Sequence, residues 1–131
     1  MAGLKRNIVS CEVAYILIGE TSGGIWHARM QWRTSGEPAS VDFEWQKVLT
    51  REEERGDVVG FFHTHPHGLK SPSARDDRTM NSWSTCFGKP LLCLIDDGDG
   101  INGWVYDADK ETEKKIAEVQ KFRNNWLVVI E

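Results

Sequence analysis

The chain has 131 residues, of which 40% are hydrophobic, so its length and composition favour one compact globular domain spanning residues 1–131. Its 16 Lys and Arg and 20 Asp and Glu give a formal net charge of −4 and form no basic block, which argues against a nucleic-acid partner. The apolar stretch near the N-terminus contains Glu12 and is too short to span a bilayer, so we expect a cytoplasmic protein without a membrane partner.

The first part of the chain predicts a β-hairpin, a short strand and a helix. Residues 13–20 and 25–33 are rich in β-branched and aromatic side chains and flank the turn sequence TSGG, which is typical of a hairpin. A short strand is expected at residues 39–43. In the sequence EWQKVLTREEERG that follows, apolar side chains recur at helical spacing, and Gly56 stands where the helix would end.

A buried strand and a second helix are predicted next. Residues 57–65 contain the uninterrupted apolar run VVGFF, which is typical of a central strand buried on both faces. Met80, Trp83 and Phe87 then recur at helical spacing, and Ser73 occupies the N-cap position of the helix that they predict.

The last part of the chain predicts a second hairpin, a third helix and a final strand. The apolar sequences PLLCLID and INGWVYD flank DGDG, whose residues suit a hairpin turn. Within residues 109–125, Ile116, Val119 and Phe122 lie on one face of a predicted helix, and WLVVI is expected to form the closing strand. This order of elements indicates a mixed sheet with helices packed on it, in the α/β or α+β class.

Two histidines at the end of the central strand are candidate metal ligands. Side chains alternate along a strand, so His63 and His65 project from the same face, with Cα atoms roughly 6–7 Å apart. A chain that turns at Pro66 and begins a helix at Ser73 can bring Asp76 back over the end of the strand. Two imidazoles and a carboxylate with an open fourth position are the pattern of a catalytic zinc site.

Each of these residues can also be explained by a structural role that needs no metal ion. A lone His-x-His pair is more often structural, because backbone hydrogen bonds readily satisfy an imidazole. Ser73 and Asp76 have the spacing of a helix capping box. If His67 also coordinated, four protein ligands would close the site around a structural zinc, but Pro66 interrupts the alternation and we expect His67 to leave the metal face.

The sequence HTHPHGLKSPSARD resembles the JAMM motif of the MPN+ (Mov34/JAB-type) metalloprotease family. That motif reads His-x-His-Pro, a spacer and Ser-x-x-Asp, and here residues 66–75 supply the ten residues between the second histidine and the aspartate. The upstream sequence CEVAYILIG is similar to the family's E-x-x-G-L-L-x-G segment, with Glu12, Leu17 and Gly19 in matching places. The sequence departs from the family pattern at two positions: Tyr15, where a small residue is common, and His67, where Ser is common.

The resemblance implies an MPN/JAB-domain-like fold, which is similar to that of cytidine deaminases, and one catalytic Zn²⁺. It makes His63, His65 and Asp76 the zinc ligands, Glu12 the general base and proton shuttle, and Ser73 a donor to the oxyanion. The choice of Glu12 rests mainly on the resemblance. From the residues alone, other acids are comparable candidates for the base: Glu20, Glu37, Asp42 and Glu44.

By the same resemblance, the protein is expected to be a zinc-dependent isopeptidase or peptidase of the deubiquitinase-like branch, similar to its short prokaryotic members. The substrate would be a ubiquitin-like protein or its conjugate, cut after its C-terminal tail, and E1/E2-like conjugation proteins are further candidate partners. One alternative is a hydrolase that releases an amino acid from a sulfur-carrier protein or cuts a small peptide. Another is a catalytically silent MPN-type binding module.

Overall fold

Seven strands and two helices form the part of the chain that the computed structural model describes, which comprises residues 13–22, 25–35, 44–65, 71–107, 115–122 and 125–130. The strands are β1 (Val13–Ser22), β2 (Ile25–Ser35), β3 (Val58–Thr64), β4 (Leu91–Asp96), β5 (Ile101–Tyr106), β6 (Lys115–Phe122) and β7 (Asn125–Ile130). The helices are α1 (Trp45–Arg55) and α2 (Ala74–Phe87). No helix in these ranges is long and apolar enough to cross a membrane.

The strands pair into one closed sheet in the order β1-β2-β7-β6-β5-β4-β3, with β3 pairing back to β1. All neighbouring strands are antiparallel except β3 and β4, which run parallel. A parallel pair needs a long crossover connection, and α2 lies in the connection between these two strands. The expected mixed sheet flanked by helices, in the α+β class, is therefore confirmed.

Apolar side chains form two clusters on opposite faces of the strands. One cluster joins Val48 of α1 and Met80 of α2 to strand residues that include Phe61 and Cys93, so this is the face covered by the helices. The other cluster includes Phe62 and the neighbouring side chains of β4 and fills the opposite face, which is the inside of the barrel. The helix-covered face is the one that carries the candidate site.

A bulge in the β1–β3 pairing decides which side chains of β3 reach the helices. Leu17 pairs with Gly60 but Ile18 pairs with Val58, so one residue of β3 is left without a partner in this register. The alternation is reversed at this point, which brings Phe61 onto the helix-covered face. His63 and His65 follow Phe61 at intervals of two and share that face.

Most of the predicted elements are confirmed. The hairpin β1–β2, helix α1 ending at Gly56, strand β3, helix α2 between Ser73 and Gly88, hairpin β4–β5 and the final strand β7 all form where the sequence predicts them. The short strand expected at residues 39–43 lies outside the described residues.

The third predicted helix is wrong where the structure describes it. Residues Lys115–Phe122 form strand β6, which pairs with β7 from Ala117 to Phe122 and with β5 from Lys115 to Ala117. The helical spacing of Ile116, Val119 and Phe122 covers less than two turns, so pairing with strands on both sides overrides it. Residues 109–114 of the predicted helix lie outside the described part.

Candidate metal centre

Strand β3 and the residue after it place two imidazoles side by side. His63 is the penultimate residue of β3, and His65 follows the last. The backbone N–H of His65 donates to the Asp96 carbonyl at 2.9 Å, which extends the pairing with β4 beyond the end of the strand. Both histidines are therefore held by the sheet.

The first turn of α2 places the carboxylate. Ser73 is the N-cap: its hydroxyl oxygen accepts from the Asp76 N–H at 3.0 Å, while the Ser73 N–H donates to Asp76 Oδ2 at 2.9 Å. The capping box predicted from the sequence is thus formed. It fixes the conformation of the Asp76 side chain before any metal binds.

The structure brings His63, His65 and Asp76 together. The two Nε2 atoms are 3.0 Å apart, His65 Nε2 is 3.0 Å from Asp76 Oδ2, and His63 Nε2 is 3.6 Å from Asp76 Oδ1. Two ligands of one tetrahedral zinc, each bound at about 2.0–2.1 Å, are separated by roughly 3.3 Å. The two nitrogens and the carboxylate oxygens therefore have the spacing and the chemistry that one zinc ion requires.

Hydrogen bonds and the nearby imidazoles keep the buried carboxyl group of Asp76 ionised. The side chains of His63, His65 and Asp76 are only 3%, 6% and 8% exposed. Burial by itself raises the pKa of Asp76, but the interaction with His63, the hydrogen bond from the Ser73 backbone and the two nearby imidazoles together hold it well below its usual range. Asp76 is thus a carboxylate at neutral pH, the form that a cation binds.

The two ring nitrogens of His63 have different surroundings. Nε2 faces the other members of the cluster, 3.0 Å from His65 Nε2 and 3.6 Å from Asp76 Oδ1. Nδ1 is buried and has no hydrogen-bond partner among the described residues. A buried ring nitrogen normally has a partner whether the histidine is structural or binds a metal, so the position of Nε2, and not the surroundings of Nδ1, makes His63 a candidate ligand.

The hydroxyl of Ser73 lies beside this cluster and is not fully used by the cap. Ser73 is exposed, and in the capping box its oxygen acts only as an acceptor. A hydroxyl has one proton to donate in addition to its lone pairs. The cap role and a donor role toward a substrate are therefore compatible.

The remaining residues predicted for the site are Glu12, His67 and the alternative bases. Glu12 and His67 lie outside the described residues, as do Glu37 and Asp42. Glu20 is exposed and belongs to β1. In that strand Ala14 pairs with His63, and Glu20 is six residues further along, which places it roughly 20 Å from His63. This distance removes Glu20 as a candidate base. Glu44 is exposed at the start of α1, and its Oε1 atom lies 3.9 Å from Lys47 Nζ.

One buried contact at the site was not predicted from the sequence. The hydroxyl of Tyr106, at the end of β5, donates to Asp77 Oδ1 at 2.6 Å. The two residues are 29 positions apart and belong to elements with different periodicities, so no spacing in the sequence indicates that they meet.

The structure places two histidines at the end of a central strand and an aspartate in the first turn of the next helix, beside a mixed sheet. This arrangement agrees with the MPN/JAB-type domain that the sequence motif resembles. Residues 7–107 match the family described as prokaryotic homologs of the JAB domain, and the chain belongs to this family. The matched segment includes β1 to β5, both helices and the cluster of His63, His65 and Asp76. No curated protein matches the chain.

Proposed function

We propose that this protein is a zinc-dependent peptidase or isopeptidase that hydrolyses the bond after the C-terminal tail of a ubiquitin-like modifier. The reaction would serve deconjugation or precursor processing in a bacterial ubiquitin-like conjugation system. The observation that carries the proposal is the convergence of His63, His65 and Asp76, with the Ser73 hydroxyl next to them. The JAMM-like motif and the membership of the JAB family support the reaction type and the kind of substrate.

The ligand set supports a catalytic zinc. The cluster among the described residues has three members, and three protein ligands would leave one position of a tetrahedral zinc for water or substrate. Zinc held there would supply a Lewis acid and lower the pKa of bound water to about 7. The protein's own side chains would hold the ion through two imidazoles and one carboxylate, and their burial would keep the centre largely shielded from bulk water.

Glu12 is proposed as the general base. β1 runs antiparallel to β3 and reaches the histidines, since Ala14 pairs with His63. Glu12 itself lies outside the described residues and precedes Ala14 by two positions in the sequence. A carboxylate near the ligands can take the proton of the attacking water and later deliver it to the leaving amine.

Ser73 is proposed to stabilise the negative charge that develops on the carbonyl oxygen of the scissile bond. Its oxygen is positioned by the bond from the Asp76 N–H, so the hydroxyl does not have to be reorganised during the reaction. A donor fixed in advance is the arrangement that lowers the barrier in acyl transfer.

The burial of the candidate ligands supports a substrate segment without bulky side chains. The His63 and Asp76 side chains are only 3% and 8% exposed. An extended Gly-rich tail carries no side chains that would obstruct its approach to these ligands. Such a tail is the part of a ubiquitin-like modifier that the proposal places at the zinc.

The proposal is tested with purified protein loaded with one equivalent of Zn²⁺. It is incubated with each ubiquitin-like protein encoded near its gene, extended by a C-terminal peptide or joined to a lysine side chain, and the products are read by mass spectrometry. We expect cleavage directly after the tail, abolished by a chelator and restored by zinc. Zinc-loaded protein that cleaves none of these fusions or conjugates would refute the proposed substrate class.

A further inference from the structure

We infer that Tyr106 and Asp77 form a hydrogen-bonded tether that positions Asp76 for metal binding, so that Tyr106 is a positioning residue of the metal centre. The inference rests on the zinc site proposed above and concerns how the site is built. Tyr106 and Asp77 are not among the three candidate ligands, and their effect passes through the first turn of α2.

The tether joins the helix to the sheet at a second point. Asp76 faces the histidines of β3, while Asp77, about 100° further round the helix, accepts a hydrogen bond from Tyr106 of β5. Strands β3 and β5 are the two neighbours of β4. The start of α2 is therefore held from both sides of β4, and its rotation about the helix axis is restricted.

The contact is short, and its tyrosine side is buried. The hydroxyl-to-carboxylate distance is 2.6 Å, Tyr106 is 1% exposed, and its ring belongs to the apolar cluster beneath the helices. Hydrogen bonds to an ionised acceptor are stronger than neutral ones, and burial increases the cost of losing them. A tyrosine ring fixed by its packing is thus a rigid donor for the helix.

Loss of this tether should change the metal site more than the fold. The capping box fixes the Asp76 side chain relative to Ser73, but it does not fix the helix relative to β3. The packing of Met80 in the core and of Trp83 against Phe61 holds the middle of α2 on the sheet. Without the bond to Tyr106, the first turn can shift relative to this anchored part, and the Asp76 carboxylate samples positions away from the two imidazoles. Groups that orient metal ligands typically contribute about 10–100-fold to metal affinity.

The experiment measures zinc affinity by competition with a chromophoric chelator. Tyr106→Phe removes the hydroxyl and keeps the ring and the net charge, and we expect it to weaken zinc binding about tenfold. The visible absorption of the Co²⁺-loaded protein should change as well, because it reports the coordination geometry. Folding of each metal-free variant is checked by circular dichroism.

Ser84→Ala is the matched control. Ser84 is 2% exposed, lies on the same helix and donates to the Lys89 carbonyl at 2.7 Å, roughly 12 Å from Asp76. This variant also loses one buried hydrogen bond of α2, but far from the metal. Its zinc affinity should stay within about twofold of the wild-type value, the margin allowed for context effects, although its stability falls by about 1 kcal/mol.

A pair of substitutions separates the hydrogen bond from the charge. Asp77→Ala and Asp77→Asn both remove the negative charge, but only asparagine keeps an oxygen that can accept from Tyr106. We expect Asp77→Asn to bind zinc several-fold more tightly than Asp77→Ala, and Tyr106→Phe to cause no further loss in the Asp77→Ala background.

Three results would overturn the inference. They are wild-type affinity in Tyr106→Phe, an equal loss in Ser84→Ala, or equal affinities of the two Asp77 variants. A wild-type protein that binds no zinc would instead contradict the proposed metal centre itself, and the inference would fall with it.

Discussion

At the residue scale, the Asp76 carboxylate combines a structural and a chemical role. Its Oδ2 atom accepts from the Ser73 backbone and also lies 3.0 Å from His65 Nε2. The capping box that could have explained the Ser-x-x-Asp spacing without metal therefore orients the same oxygen toward the imidazoles. The capping role and the metal-binding role that this spacing suggests are therefore compatible in the structure.

Glu12→Gln should separate proton transfer from metal binding. We expect the variant to retain one equivalent of zinc but to lose roughly 10²–10⁴-fold in kcat, because an amide cannot take the proton from water. The measurements are metal content and the cleavage rate of a substrate that the wild-type protein cuts. In the comparison variant Asp76→Asn, zinc and hydrolysis should both be lost while circular dichroism stays unchanged. Full hydrolysis by Glu12→Gln would remove Glu12 from the mechanism.

At the scale of elements, the close approach of β3 to β4 sets the position of the histidines. A Cβ atom on Gly60 would lie 1.9 Å from the Leu92 carbonyl oxygen, a contact that the backbone could relieve only by separating the strands. Gly60 also lies at the bulge that turns His63 toward the helices. One glycine thus links sheet packing to the geometry of the site.

Gly60→Ala should destabilise the metal-free protein by about 1–3 kcal/mol, because the added methyl group forces the parallel strands apart. The free energy of unfolding in urea measures this. Gly100→Ala serves as the control, since a Cβ there would meet nothing within 4 Å. We also expect weaker zinc binding in Gly60→Ala, as His63 and His65 follow on the displaced strand. Equal stabilities of the two variants would show that β3 and β4 can absorb the methyl group.

Local patterns predict the elements that carry the site, and they fail where pairing or packing with other elements overrides them. Period-two alternation is enough to place His63 and His65 on one face, and the cap spacing is enough to identify Ser73 as the N-cap of α2. The apolar spacing within β6 resembles a helical face, but this segment forms a strand because it pairs with both β5 and β7. The meeting of Tyr106 and Asp77 depends on tertiary packing in the same way.

At the scale of the whole molecule, the metal centre connects parts of the chain that the barrel holds together. Closure of the sheet by the β1–β3 pairing was not predicted, because it joins strands separated by α1 and a second strand. Within this frame, the candidate ligands come from β3 and α2, and His65 and Asp76 are 11 positions apart. The unfolded chain does not hold these groups at ligand spacing, so it should bind zinc more weakly than the folded chain.

Zinc should therefore stabilise the entire domain through mass action. At a free Zn²⁺ concentration 100 times the Kd, the expected gain in the free energy of unfolding is about 2.7 kcal/mol, provided that the unfolded chain does not bind. For a domain of this size, such a gain raises Tm by roughly 10 °C. Thermal unfolding followed by circular dichroism, with a metal buffer that sets free Zn²⁺, measures the shift.

Two controls make the shift in Tm specific to the proposed centre. The same concentration of Mg²⁺ should leave Tm unchanged, because Mg²⁺ prefers oxygen ligands in octahedral geometry and two of the three groups are imidazoles. Asp76→Asn should lose most of the zinc-induced rise in Tm. Ser84→Ala should have a lower Tm without zinc but should show the same zinc-induced rise as the wild type. If zinc raises the Tm of Asp76→Asn as much as that of the wild type, the stabilising ion binds elsewhere and the His63, His65 and Asp76 cluster is not the metal centre.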